Sequence, residues 1–125
     1  MEPIILSGTT TTFKVHLDKS KGIFEFEGRS RPEDVIGFFE PIFEWFEKYR
    51  IDPNPETIIK FKLDYFNSST AKVLLRFLAF IERLNKDGLD IKIEWYYNPN
   101  DEDMFEVGQD FESLIDVGFD FIETE

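Results

Sequence analysis

Four short runs in this chain place apolar residues at every second position, and three longer runs between them repeat at helical spacing. That switching of period constrains the fold more than any other feature, because a side-chain period of two belongs to a strand with one buried face. In FKVHLD, Phe13, Val15 and Leu17 face one way and Lys14, His16 and Asp18 the other. IFEFEG sets Phe24 and Phe26 against Glu25 and Glu27, and IIKFKLDY sets Ile59, Phe61, Leu63 and Tyr65 against Lys60, Lys62 and Asp64. IKIEWYY repeats the pattern with Ile91, Ile93, Trp95 and Tyr97 opposite Lys92, Glu94 and Tyr96, and FDFIE near the end reads as a short fifth strand. The SKG turn at 20–22 makes the first two strands a hairpin, and TTTT at 9–12 reads as a strand lead-in.

The first helical pattern, RPEDVIGFFEPIFEWFEKYR, is expected to be capped by Ser30, with Pro32, Glu33 and Asp34 in its first turn. Its apolar residues fill about half of the helical wheel. Pro41 sits at the edge of that arc as an expected kink. Phe43 and Trp45 at the flanks suggest a second contact surface. The second helix is expected from Ser68 to Asp87, ending at Gly88, and the third from Asn100 to Ile115, with Asp101, Glu102 and Asp103 in its first turn. The order is ββαβαβαβ, an α/β fold of α+β-like character read as one domain over residues 1–125. The strands alternate rather than running continuously apolar, so the mixed sheet should carry its helices mainly on one face.

Composition narrows the function. A hydrophobic content of 42% with fifteen phenylalanines indicates an ordered core. A formal charge of −12 argues against nucleic acid and anionic membrane as partners, since both need a clustered positive surface. The absence of cysteine excludes a disulfide framework, a thiolate zinc site and a cysteine nucleophile. The opening MEPIILSGTTTT lacks the marks of a signal peptide. No apolar run approaches the roughly 18 residues of a membrane span, and a cytoplasmic location is expected.

The chemistry-bearing stretch is LDYFNSSTAK, residues 63–72, where a strand hands over to a helix through Asn67, Ser68, Ser69 and Thr70. One such residue suffices as a cap, so Asn67 or Ser68 capping the helix is the plain reading. On a wheel of about 100° per residue, Val73, Leu74, Phe77, Phe80, Ile81 and Leu84 share the core arc. Ser69 and Thr70 fall near the edges of that arc, while Ser68 lies opposite, in line with Ala71, Leu75, Leu78 and Ala79. An outward apolar stripe of this kind is expected to dock a partner, or to support a weak homodimer. Phosphate at a helix N-terminus meets free N–H groups and the positive end of the dipole, so modification of Ser68 would leave folding intact while charging the docking surface.

LDYFNSSTAK, with GRSRPEDVIGFFEPIFEWFEKY and IEWYYNPNDEDM, resembles the SiaC-type regulatory phosphoproteins of bacteria. These in turn resemble the STAS fold of anti-sigma-factor antagonists such as SpoIIAA. The resemblance spans roughly residues 22–123 and is most specific at Tyr65-x-Asn67-Ser68-Ser69 followed by Lys72. In such antagonists the first hydroxyl after an Asp or Asn at the strand end is phosphorylated, which implies Ser68 here, ahead of Ser69 and Thr70. The resemblance further implies a non-enzymatic, partner-switching module. Its partners would be a Ser/Thr protein kinase, a PP2C-type phosphatase and an output protein such as a diguanylate cyclase, bound by the unphosphorylated form. The partner surface is expected at Asn67, Ser69, Ala71, Lys72, Leu75 and Leu78.

Other constellations are weaker. His16, the single histidine, alternates onto the polar face and is expected to be solvated. NPNDED at 98–103 lacks the spacing of a calcium loop, and its acids are explained by the helix dipole, so no metal or other cofactor is expected. Asn67-Ser68-Ser69 matches a glycosylation sequon by coincidence. Two rival functions are a small hydrolase using Asp64 with Glu94, and a small-molecule sensor using the aromatic arc of the first helix.

Overall fold

The computed structural model describes residues 1–124. The elements run β1 (Ile4–Leu6), β2 (Lys14–Asp18), β3 (Ile23–Ser30), α1 (Val35–Tyr49), β4 (Thr57–Phe66), α2 (Ser68–Lys86), β5 (Ile91–Tyr97), α3 (Glu102–Leu114) and β6 (Gly118–Glu123). They build a mixed α/β fold, one six-stranded sheet whose strands lie side by side in chain order. β1, β2 and β3 pair antiparallel, and β3, β4, β5 and β6 pair parallel. Each parallel step needs a crossover, and right-handed crossovers that all advance in one direction put their helices on the same face of the sheet. The helix-covered face is accordingly aromatic. Phe26 stacks on Phe39 at 6.1 Å and on Phe61 at 5.1 Å, and Phe77 of α2 meets Phe26 and Phe46 edge-on at 5.5 Å each.

The opposite face is polar and open, as the alternation requires. Its charges pair across strands: Lys62 with Glu25 at 3.4 Å, Lys92 with Asp120 at 2.8 Å, and Lys14 with Glu27 at 4.0 Å. The Asp120 carboxylate, by its hydrogen bond and its charge, raises the pKa of Lys92. Burial first, and then the bond to Glu94, raises that of Tyr96. At the β2–β3 turn the Asp18 carboxylate accepts from the Ser20 hydroxyl at 2.8 Å and the Lys21 amide at 3.1 Å. These bonds, the Ser20 one foremost, hold it below the usual carboxylate range.

Several expectations need correcting. An additional strand, β1, precedes those read from the sequence, giving βββαβαβαβ; three residues are too few to show a period. TTTT is not a lead-in but the loop between β1 and β2, where the Thr9 hydroxyl accepts from the amides of Thr11 and Thr12 at 3.1 and 2.9 Å. Because β1 lies beside β2, with Ile5 opposite His16, the histidine is half-buried rather than solvated. Its Nε2 is buried with no partner among the described residues. Ser30 does not cap α1: β3 extends through it, and Asp34 is the cap, its carboxylate accepting from Gly37 N at 3.0 Å. Phe43 and Trp45 form no second surface. Phe43 packs on Phe77 and Phe80, and Trp45 stacks on Tyr49 while its indole N–H donates to Glu2 O at 2.9 Å. The aromatic arc of α1 is thus spent on packing, which removes the structural basis for a ligand sensor there.

Candidate functional site

The end of the sheet where β3 and β4 finish is built around a register shift. Gly28 pairs with Leu63 but Arg29 pairs with Tyr65, leaving Asp64 as an extra residue in β4. Gly28 takes a φ of +97°, a conformation a side chain would strain. The shift breaks the alternation. Tyr65, read from the sequence as a core residue, is 45% exposed, and Phe66 turns inward to pack on Trp95 and Phe111.

Immediately beyond, α2 begins. Asn67 caps it, its side-chain oxygen accepting from Thr70 N at 2.9 Å, while Asn67 N donates to Ser30 O at 3.1 Å. Thr70 is fully buried and its hydroxyl lies 2.9 Å from that of Ser30, which is also fully buried. These bonds clamp the first turn of α2 onto the end of β3, and a buried hydroxyl pair of this kind is costly to break. Ser68 and Ser69 are exposed, and neither hydroxyl bonds to another described residue. Capping is done by Asn67, so Ser68 is left as a free hydroxyl in the first helical turn. No acidic residue occupies that turn.

The outward apolar stripe is corrected. Leu78 is 1% exposed and lies in the core, and Leu75 and Ala79 are half-buried against it. α2 has neighbours on both flanks, α1 on one side and, on the other, the segment after α3, where Asp116 N donates to Glu82 at 3.1 Å. A helix with two covered flanks buries a wider arc than the wheel assigned it. Of the expected partner-binding residues, Ser69 and Lys72 are exposed, Asn67, Ala71 and Leu75 half-buried, and Leu78 buried. The basis for a homodimer on that stripe goes with it.

The residues missed by sequence reasoning, Ile36 and Arg76, lie beside the expected Ser69 and Lys72. A cleft of about 270 Å³ between the start of α1 and the first turns of α2 is bounded by Ile36 and Asp34 on one side and by Ser69, Lys72 and Arg76 on the other. Ile36 is 60% exposed. Lys72 and Arg76 are four residues apart, a spacing that could have been read as one line on the helix. A larger hollow, about 700 Å³, lies on the open sheet face around Lys62, Asp64 and Tyr96. Lys62 there is already paired with Glu25, and the Tyr96 hydroxyl donates to Glu94 at 3.0 Å. The carboxylates of the hydrolase reading are not brought together. Glu94 pairs with Lys60, four strand residues before Asp64, about 13 Å away. At NPNDED, Asp101 acts as the cap of α3, accepting from Met104 N at 3.1 Å. No helix among the described residues is long and apolar enough to cross a membrane.

The family model for SiaC family regulatory phosphoproteins matches residues 6–124 of this chain. An uncharacterised protein of Pseudomonas aeruginosa (strain UCBPP-PA14) is 25% identical over 121 residues, covering 97% of this chain and 94% of the relative. The solved structure of SiaC of Pseudomonas aeruginosa superimposes with a TM-score of 0.89 at 22% identity, over 99% of this chain and 100% of that one. A crystal structure of the diguanylate cyclase SiaD in complex with its activator SiaC, from the same organism, gives the same TM-score and identity over 97% of this chain and 99% of that one.

Proposed function

The chain belongs to the SiaC family of regulatory phosphoproteins, and from that premise we propose that it is a non-enzymatic, cytoplasmic partner-switching module controlled by phosphorylation of Ser68. A Ser/Thr protein kinase adds the phosphate and a PP2C-type phosphatase removes it. The unphosphorylated form binds and activates a diguanylate cyclase; support for such a partner comes from SiaC, which is the activator of the diguanylate cyclase SiaD and forms a complex with it. The observation that carries this reading is the division of labour in the first turn of α2. Asn67 caps, Thr70 is locked to Ser30 in the core, and Ser68 is exposed with its hydroxyl unused. Burial takes Thr70 out of a kinase's reach. Ser69 is exposed as well, and the resemblance to anti-sigma-factor antagonists, in which the first hydroxyl after the strand-end Asp or Asn is modified, favours Ser68 over it.

Phosphate at Ser68 stands where the N-terminal N–H groups and the helix dipole favour an anion, so the fold accommodates a charge of about −2. Its effect therefore falls on whatever docks at this end of α2. Titration of unmodified and stoichiometrically phosphorylated chain against a SiaD-type diguanylate cyclase tests the reading. Binding and activation by the unmodified chain and by Ser68→Ala, lost on phosphorylation, is the expected result. Equal affinity of the two forms would overturn it.

A further inference from the structure

Along the solvent face of α2 the side chains are cationic, in a chain whose formal charge is −12. Lys72, Arg76 and Arg83 are all exposed and fall within about 40° of one another around the helix. Among the described residues the ion pairs engage Lys14, Lys19, Arg50, Lys62, Lys86 and Lys92, and none engages Lys72, Arg76 or Arg83. Lys21, Arg29, Arg31, Lys48 and Lys60 also stand outside these ion pairs, and what sets Lys72, Arg76 and Arg83 apart is that they line one face of one helix. Three in a row without a carboxylate partner form a strip held open for an anion from outside. The strip starts at the phosphorylation site. Lys72 is four residues from Ser68 and three from Ser69, spacings that bring Cβ atoms within about 6 Å. Where the strip begins, the cleft against Ile36 adds an apolar contact beside the charges.

We propose that this strip, with Ile36 at its edge, is where an acidic segment of the output protein docks, and that phosphate on Ser68 expels that segment by taking Lys72 for itself. The inference rests on the phospho-switch reading and adds to it the chemistry of the partner and the means of release. A second copy of this chain is disfavoured as occupant by the mutual repulsion of two bodies each at −12. A long polyanion such as nucleic acid is disfavoured for the same reason: it would run past three cations into a strongly negative surface. A short carboxylate-bearing segment matches the strip in sign and length. Phosphate and carboxylate compete for the same cations, so the modification needs no conformational change to act.

The test uses the full chain, unmodified, with purified SiaD of Pseudomonas aeruginosa as the probe, from about 50 to about 500 mM salt, where screening tightens to a few ångströms. Lys72→Gln/Arg76→Gln removes two charges from the strip, and Lys21→Gln/Lys48→Gln removes two exposed charges away from it. The strip variant should bind about tenfold more weakly with a flatter salt dependence, and the control as wild type does. In phosphorylated chain, the second pKa of the Ser68 phosphate should lie below its ordinary value near 6 and return to it in Lys72→Gln. Equal weakening by both pairs would reduce the strip to net charge and overturn the inference, as would wild-type binding by the strip variant; in either case the phospho-switch survives. A concentration-dependent dimer lost with the strip charges would assign the strip to a second copy and overturn it too. No binding by unmodified wild type would overturn the reading beneath.

Discussion

Two strand-to-helix junctions stand side by side at one end of the sheet, and they handle the same electrostatic problem differently. α3 starts with Asp101 as cap and Glu102 and Asp103 in the first turn, so its dipole is met by built-in carboxylates. α2 starts with Asn67 as cap and Ser68, Ser69 and Thr70 behind it, without an acid in the turn. Both ends expose unpaired N–H groups that favour negative charge. At α3 that charge is permanent. At α2 it is missing from the sequence, and the phosphate proposed on Ser68 would supply it. The comparison separates a structural junction from one left open to chemistry, and explains why the acid-rich stretch is the less informative of the two.

Prising the body of α3 off the sheet, beyond its fixed junction, should have the largest effect. α3 approaches β5 closely at Gly108, where a Cβ would fall 2.5 Å from the Trp95 indole nitrogen and 2.8 Å from the Phe121 ring. That indole is pinned by its bond to Met104 O at 3.0 Å, so it cannot move aside freely. Gly108→Ala should lower unfolding free energy by about 2 kcal/mol, after allowing for alanine's better helix propensity, measured by urea denaturation. Thr70→Val keeps the shape but leaves the buried Ser30 hydroxyl alone, for a loss of about 1.5 kcal/mol. The same change at the exposed neighbour, Ser69→Val, should cost less than about 0.5 kcal/mol.

Removing either cap, Asn67→Ala or Asp101→Ala, should cost about 1 kcal/mol. The smallest effect sharpens the contrast most. Ser68→Asp puts an acid into an acid-free first turn and should stabilise by about 0.5 kcal/mol, a gain that shrinks in high salt. Glu102→Gln should lose a similar amount. A destabilising Ser68→Asp would mean that the α2 terminus does not favour an anion.

Much of this architecture was legible in the chain because two periods were. Phe61, Ile93 and Trp95 alternate onto one face, while Val73, Phe77 and Leu84 repeat at helical spacing, and these gave the order of elements and the one-sided covering. What stayed hidden was set by neighbours in space. β1 is too short to carry a period, and without it His16 reads as exposed. The extra residue at Asp64 turns Tyr65 out of the core, an event that alternation cannot signal. The burial of Leu78 depends on both flanks of α2 being covered, which a wheel drawn for one helix does not know. Ser30 looked like a cap and is the buried partner of Thr70, a contact across 40 residues of chain. The position of the candidate site, by contrast, was readable from Asn67-Ser68-Ser69-Thr70, because a strand end followed by a run of hydroxyls is local chemistry.

The central claim is that Ser68 alone in this run is the modified residue. It is tested most directly by intact-mass analysis of the protein purified from its native cells, before and after phosphatase treatment, with the phosphopeptide mapped to a single residue. The account predicts one phosphate, on Ser68, removed by the phosphatase. Phosphate on Thr70 would contradict the burial on which the account depends, and a chain that stays unmodified across growth conditions would reduce the first turn of α2 to a helix start.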